Sequence, residues 1–167
     1  MQTKTVFVTV GTTKFDELIK TVTSDEVLQE LNRKGYNKLV LQIGKTDIEP
    51  DCAPRCGFYE IEVFNLSPSL HESMEVADLI ISHAGAGSCL EALELSKPLV
   101  VVINDRLMDN HQIELAEQLY KDGHLFYSNC KNLLNLIHSM DLSELQPFKQ
   151  DKSKAIATMI DQIMGFS

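Results

Sequence analysis

The sequence has 167 residues, 44% apolar and 23% charged, which suits one compact domain with a sizeable core and argues against an intrinsically disordered chain. Its 15 basic and 24 acidic residues leave a net charge of −9, which argues against the basic face that nucleic acid or anionic lipid requires. No apolar run approaches the roughly 20 residues that span a bilayer, and the opening MQTKTVFVTV is too short and β-like for a signal peptide.

In chain order, the β-branched run TVFVTV (5–10) predicts a first strand and GTTK a tight loop after it. FDELIKTV and EVLQELNRKG predict helix, stopped at Gly35. KLVLQI (38–43) predicts a second strand. Residues 44–57 hold two prolines and no periodicity, so they predict a loop. Within that loop Cys52 and Cys56 have C-x3-C spacing, but no second Cys or His pair follows at zinc spacing. With Cys89 and Cys130 they read as free thiols of a cytosolic protein.

FYEIEVF (58–64) predicts a third strand, and SPSLHESMEVA a short helix with Pro68 in its first turn. DLIIS (78–82) predicts the fourth strand, followed by the glycine-rich stretch SHAGAGSCLEAL (82–93), which runs into a helix through Leu95. KPLVVVIN (97–104) predicts a buried strand, HQIELAEQLYKDG a helix ending at Gly123, HLFYS a strand and KNLLNLIHSM a helix. Strand and helix alternate throughout. That predicts a Rossmann-like α/β fold, a parallel sheet with helices on both faces. Residues 1–140 form one Rossmann-like domain on this reading. Residues 141–167 form a polar linker with Pro147 and a last amphipathic helix. Its Ala155, Ile156, Met159, Ile160, Ile163, Met164 and Phe166 fall at helical spacing, and this face either packs on its own domain or docks on a partner.

Such sheets bind ligands at the carboxyl ends of their strands. Two loops lie there: GTTK (11–14) and SHAGAGS (82–88). The second is not a dinucleotide fingerprint, because Leu90 stands at the third glycine position and the loop follows the fourth strand rather than the first. No G-K-[ST] makes it a P-loop. Its glycines permit close backbone approach, and the helix start behind them offers unpaired N–H groups to a phosphate. His83 stands at the strand end and Glu91 one turn into the helix. After the next strand come Asp105, Asp109, Asn110, His111 and Gln112. Phosphate donors beside carboxylates and amides suit a nucleotide sugar. Each residue also has a plainer reading. Ser88-x-x-Glu91 has capping-box spacing, Thr12 and Thr13 could cap the first helix, Gly85 and Gly87 could make a simple turn, and Gln112 could be solvated.

The span Ile81–Gln118 resembles the donor half of GT-B glycosyltransferases, with His, glycines, Ser-x-x-Glu, a Lys-Pro strand and Asp-x-x-Gln in order. VFVTVGTTKFDELI, LVLQIG, ADLIISHAGAGSCLEALELSKPLVVVIN and LMDNHQIELAEQLYKDGHLFY are similar to the cytosolic catalytic subunits of the eukaryotic UDP-N-acetylglucosamine transferase, over residues 5–140. The chain is also similar to the donor domain of the bacterial transferase that makes the peptidoglycan lipid precursor. The resemblance implies transfer of GlcNAc from UDP-GlcNAc to GlcNAc-diphosphodolichol, a polyprenyl-diphosphate-linked acceptor. It implies Gly85, Gly87, Ser88 and His83 at the diphosphate and Glu91 on the ribose hydroxyls. Asp109, Asn110 and Gln112 would be at the GlcNAc, and Gly11, Thr12 and Thr13 at the border with the acceptor. His83 is the one candidate catalytic group.

No D-x-D motif is present, so no cofactor and no obligatory metal are expected. The chain opens directly on a donor-domain strand. The resemblance therefore implies a membrane-anchored partner subunit that carries the acceptor domain and recruits this cytoplasmic chain to the cytosolic face of the endoplasmic reticulum. Two other classes remain open: a non-catalytic nucleotide-sugar-binding regulatory module and a small oxidoreductase.

Overall fold

The structure is a computed structural model that describes residues 2–67, 69–104 and 110–147, the backbone alone over 110–113. Six strands form one sheet: β1 (Thr5–Thr9), β2 (Lys38–Gln42), β3 (Glu60–Phe64), β4 (Leu79–His83), β5 (Leu99–Ile103) and β6 (Phe126–Asn129). All pair in parallel, in the order β3-β2-β1-β4-β5-β6. The expected parallel α/β sheet is therefore observed, and its strand order reverses between β1 and β4. That reversal opens the crevice where doubly wound sheets bind ligands.

The helices are α1 (Asp16–Val22), α2 (Asp25–Arg33), α3 (His71–Val76), α4 (Ala86–Glu94), α5 (Asn110–Lys121) and α6 (Leu133–Ser139), with a 3-10 turn at Leu142–Glu144. The first helical run breaks at Ser24, whose side chain accepts the Val27 N–H at 3.4 Å and caps α2. Gly35 follows α2 with φ +105°, a conformation that side chains disfavour, and so ends the helix as expected.

Every residue of β1 and β5 is buried, because helices cover both faces of the central strands. Val8, Leu41, Ile81 and Val102 pack with Leu18, Leu28 and Ile137 on the face of α1, α2 and α6. Phe7, Ile80 and Val101 pack with Met74, Leu93 and Leu119 on the face of α3, α4 and α5. The third strand begins at Glu60, two residues later than predicted, because Phe58 instead bridges back to Arg55. The loop before it is pinned by Arg55, whose guanidinium donates to the carbonyls of Asp51, Ala53 and Thr23.

All four cysteines are free. Among the described residues no helix is long and apolar enough to cross a membrane. Pro68 and the last predicted helix lie outside the described residues.

Candidate functional site

The carboxyl ends of β1 and β4 lie side by side, with Thr9 opposite Ser82. Past these residues the two glycine loops meet. Gly11 turns the chain with φ +62°. Its loop is held by Gln42, the last residue of β2, which is buried. The Gln42 side-chain oxygen accepts from the Thr9 hydroxyl at 2.5 Å and from the Gly11 N–H at 2.9 Å. Its amide nitrogen donates to the carbonyls of Gly11 at 2.8 Å and Asn65 at 2.6 Å. One amide thus ties together the loops after β1, β2 and β3. Sequence reasoning passed over Gln42, although an amide ending the apolar run KLVL was a visible signal.

His83 ends β4, and its ring lies between the two glycine loops. A methyl group on Gly11 would stand 2.7 Å from Nε2 of His83, and one on Gly85 would stand 2.3 Å from its Cε1. Both glycines are required by this close approach, and at Gly85 space alone demands it, since its φ is an ordinary −83°. Burial lowers the His83 imidazole to about 4, so the ring is neutral at neutral pH. The ring can therefore offer hydrogen bonds but no positive charge. The His83 carbonyl accepts from the Ser82 hydroxyl at 2.8 Å and the Cys89 thiol at 3.8 Å. Burial pushes that thiol up to about 12, which removes it as a nucleophile.

The helix α4 starts from Gly85 without a side-chain cap, and the Cys89 N–H to Gly85 carbonyl bond at 3.0 Å closes its first turn. Ser88 is therefore the third residue inside the helix and Glu91 lies a turn further on, so the capping-box alternative fails. The first-turn amides at Ala86, Gly87 and Ser88 have no carbonyl within the helix to bond, and the helix dipole adds partial positive charge there. A methyl group on Gly87 would meet nothing within 4 Å, so this glycine borders open space. The Glu91 side chain is 38% exposed, and its Oε1 lies 3.5 Å from Nδ1 of His71 on α3, a histidine the sequence gave no reason to single out.

Thr13 donates its hydroxyl to the Val10 carbonyl at 2.7 Å and so shapes the loop, while Thr12 is exposed. Neither caps α1, whose N-cap is Phe15. Lys14 pairs with Asp47 and Asp16. Asp109 lies outside the described residues, and of Asn110 and Gln112 only the backbone, at the start of α5, is described. Among the described residues no group of three or more His, Cys, Asp or Glu could hold a metal.

Residues 5–163 match the model of the glycosyltransferase family 28 C-terminal domain. The chain belongs to that family. The family 28 domain is 55% identical over 130 residues to the human UDP-N-acetylglucosamine transferase subunit ALG13, covering 78% of this chain and 11% of the human protein. It thus spans about a tenth of that relative's length. The NMR solution structure of ALG13 superposes with a TM-score of 0.72 at 28% identity, covering 95% of this chain and 96% of that one. Acinetobacter baumannii MurG superposes with a TM-score of 0.64 over 98% of this chain and 50% of MurG. At 18% identity that is a likeness of fold. The fold is thus that of the C-terminal half of GT-B glycosyltransferases.

Proposed function

We propose that this family 28 domain is the donor-binding half of a two-chain, inverting UDP-GlcNAc transferase that acts on GlcNAc-diphosphodolichol. The observation that carries the reading is the uncapped start of α4. It opens on the strand-order reversal with free space at Gly87. In this reading the first-turn amides of α4 and the Gly11 loop hold the diphosphate. Glu91 takes the ribose hydroxyls, and Asp109, Asn110 and Gln112 read the GlcNAc. The name of the human relative, a UDP-N-acetylglucosamine transferase subunit, supports both the donor and the need for a second chain.

The acceptor hydroxyl oxygen attacks C1 of GlcNAc from the face opposite the diphosphate. The C1–O bond to the β-phosphate breaks, its electron pair leaves with UDP, and the configuration inverts to a β1,4 link. Negative charge grows on the departing phosphate oxygen, where fixed N–H groups stabilise it as an oxyanion hole does. No step requires a metal. The acceptor proton needs a base that holds protons near neutral pH. His83, lowered to about 4, is a weak candidate, so we assign the base to the partner subunit and to His83 a neutral hydrogen-bonding role beside the diphosphate. The partner is a membrane-anchored acceptor domain that brings this chain to the cytosolic face of the endoplasmic reticulum.

The test is transfer of labelled GlcNAc from UDP-GlcNAc to a short GlcNAc-diphosphoisoprenoid. The chain alone should be inactive, and adding endoplasmic reticulum membranes should restore transfer. Glu91→Gln should abolish most of it. Transfer by the chain alone would overturn the two-chain reading, and full transfer by Glu91→Gln together with Gln112→Ala would favour a non-catalytic module.

A further inference from the structure

We propose that His71 is a positioning residue for the nucleoside end of the donor site: it holds the Glu91 carboxylate in the orientation that receives the ribose hydroxyls. The inference rests on the donor-site reading above. His71 opens α3, the crossover helix between β3 and β4. Its N–H is held by Ser69, which is itself tied to Ser67. The Ser69 hydroxyl accepts the His71 N–H at 3.2 Å, while the Ser67 hydroxyl donates to the Ser69 carbonyl at 2.8 Å. Met74, fully buried, anchors the same short helix against the sheet.

The ring then spans two carboxylates. Nδ1 lies 3.5 Å from Oε1 of Glu91 on α4, and Nε2 lies 3.9 Å from Oε2 of Glu75, one turn along α3. Among the described residues no other His, Lys or Arg nitrogen lies within 4.0 Å of the Glu91 carboxylate. A glutamate carboxylate has two oxygens. His71 engages one and leaves the other to a ligand hydroxyl, and the partial exposure of Glu91 gives that ligand access. Without His71, Glu91 would have to be ordered by the ligand itself. Ordering one such side chain corresponds to a loss of about two- to tenfold in affinity. An exposed pair of this kind contributes little to folding. Its effect therefore falls on binding and not on stability.

The experiment is calorimetric titration of the full chain with UDP and with 2′,3′-dideoxy-UDP, for the wild type, His71→Leu, His71→Gln and Glu91→Gln. The wild type should prefer UDP by about tenfold or more, because hydroxyls bonded to a carboxylate are lost in the analogue. His71→Leu should cut that preference by about two- to tenfold with the melting temperature unchanged. His71→Gln, which keeps a hydrogen-bonding nitrogen, should recover most of it, and Glu91→Gln should remove it. If Glu91→Gln removes the preference while His71→Leu retains all of it, the positioning role is overturned. If the wild type fails to bind UDP or shows no preference, the donor-site reading itself fails, and this inference with it.

Discussion

Replacing Gln42 by methionine keeps the side-chain volume in β2 and deletes its hydrogen bonds. Several partners have a second bond to fall back on. The Gly11 N–H also lies 3.1 Å from the Thr9 hydroxyl oxygen. The Val10 N–H also reaches the backbone carbonyl of residue 42 at 3.2 Å, and the Asn65 carbonyl also accepts from the Gly44 N–H at 2.9 Å. The Gly11 carbonyl and the Thr9 hydroxyl then lose the partners they have in Gln42. A buried group left unsatisfied costs about 1–3 kcal/mol, and with Thr9 buried and the Gly11 carbonyl part-buried the pair costs about 3 kcal/mol. For a chain of this length that lowers the melting temperature by about 6–12 °C. Because the Gly11 loop borders the proposed diphosphate site, UDP-GlcNAc affinity should fall as well. Gln42→Glu is the sharper control. It preserves the acceptor but sets a carboxylate oxygen against two carbonyls, at 2.8 and 2.6 Å, so it should be at least as damaging at neutral pH. Thermal unfolding and calorimetric titration measure both effects. A melting temperature within about 2 °C of wild type for Gln42→Met, with unchanged affinity, would refute the idea that this amide holds the loop.

Gly85→Ala should destabilise the domain by about 1–3 kcal/mol, since its methyl collides with His83, whereas Gly87→Ala should fold as well as wild type or better by up to about 1 kcal/mol and yet bind UDP more weakly, a contrast that denaturant melts and titrations resolve. His83 is lowered to about 4 from 6.5, so the unfolded chain binds more protons between those values and stability falls as pH drops through that window. The loss reaches about 3 kcal/mol in the wild type, and a His83→Asn variant should show correspondingly less in urea melts at pH 7 and pH 4.5. Saturating EDTA should leave GlcNAc transfer by the membrane-reconstituted enzyme intact, and activity restored only by added divalent metal would contradict the metal-free route.

The central strands were legible because burial on both faces leaves an apolar run, as in TVFVT and LVVVI. The two glycine loops were legible because glycines between a strand and a helix mark a turn at the strand's carboxyl end. What escaped depends on contacts between distant segments. Ser88 and Glu91 have capping-box spacing, yet α4 begins at Ala86, and only the helix start decides whether a serine is a cap. Gln42 works through partners on the loops after β1 and β3, and periodicity cannot report an amide's partners. His71 gave no signal in the sequence because its relation to Glu91 is set by how α3 lies beside α4. The necessity of Gly85 comes from a ring two residues away folding back over it and Gly11, which motif spacing does not encode.

The ring of His83 between Gly11 and Gly85 also limits the mutational routes open to this protein. A side chain at position 11 or 85 collides with the imidazole, so neither glycine can drift while the histidine remains. A smaller residue at position 83 relieves the collision at Gly85 but leaves an unfilled space where the loops meet, while Gly11 is held besides by its φ of +62°. Position 85 therefore opens only after 83 has changed, and position 11 keeps its glycine either way. A library randomised at all three should return larger residues at 85 only alongside a small residue at 83, with glycine retained at 11.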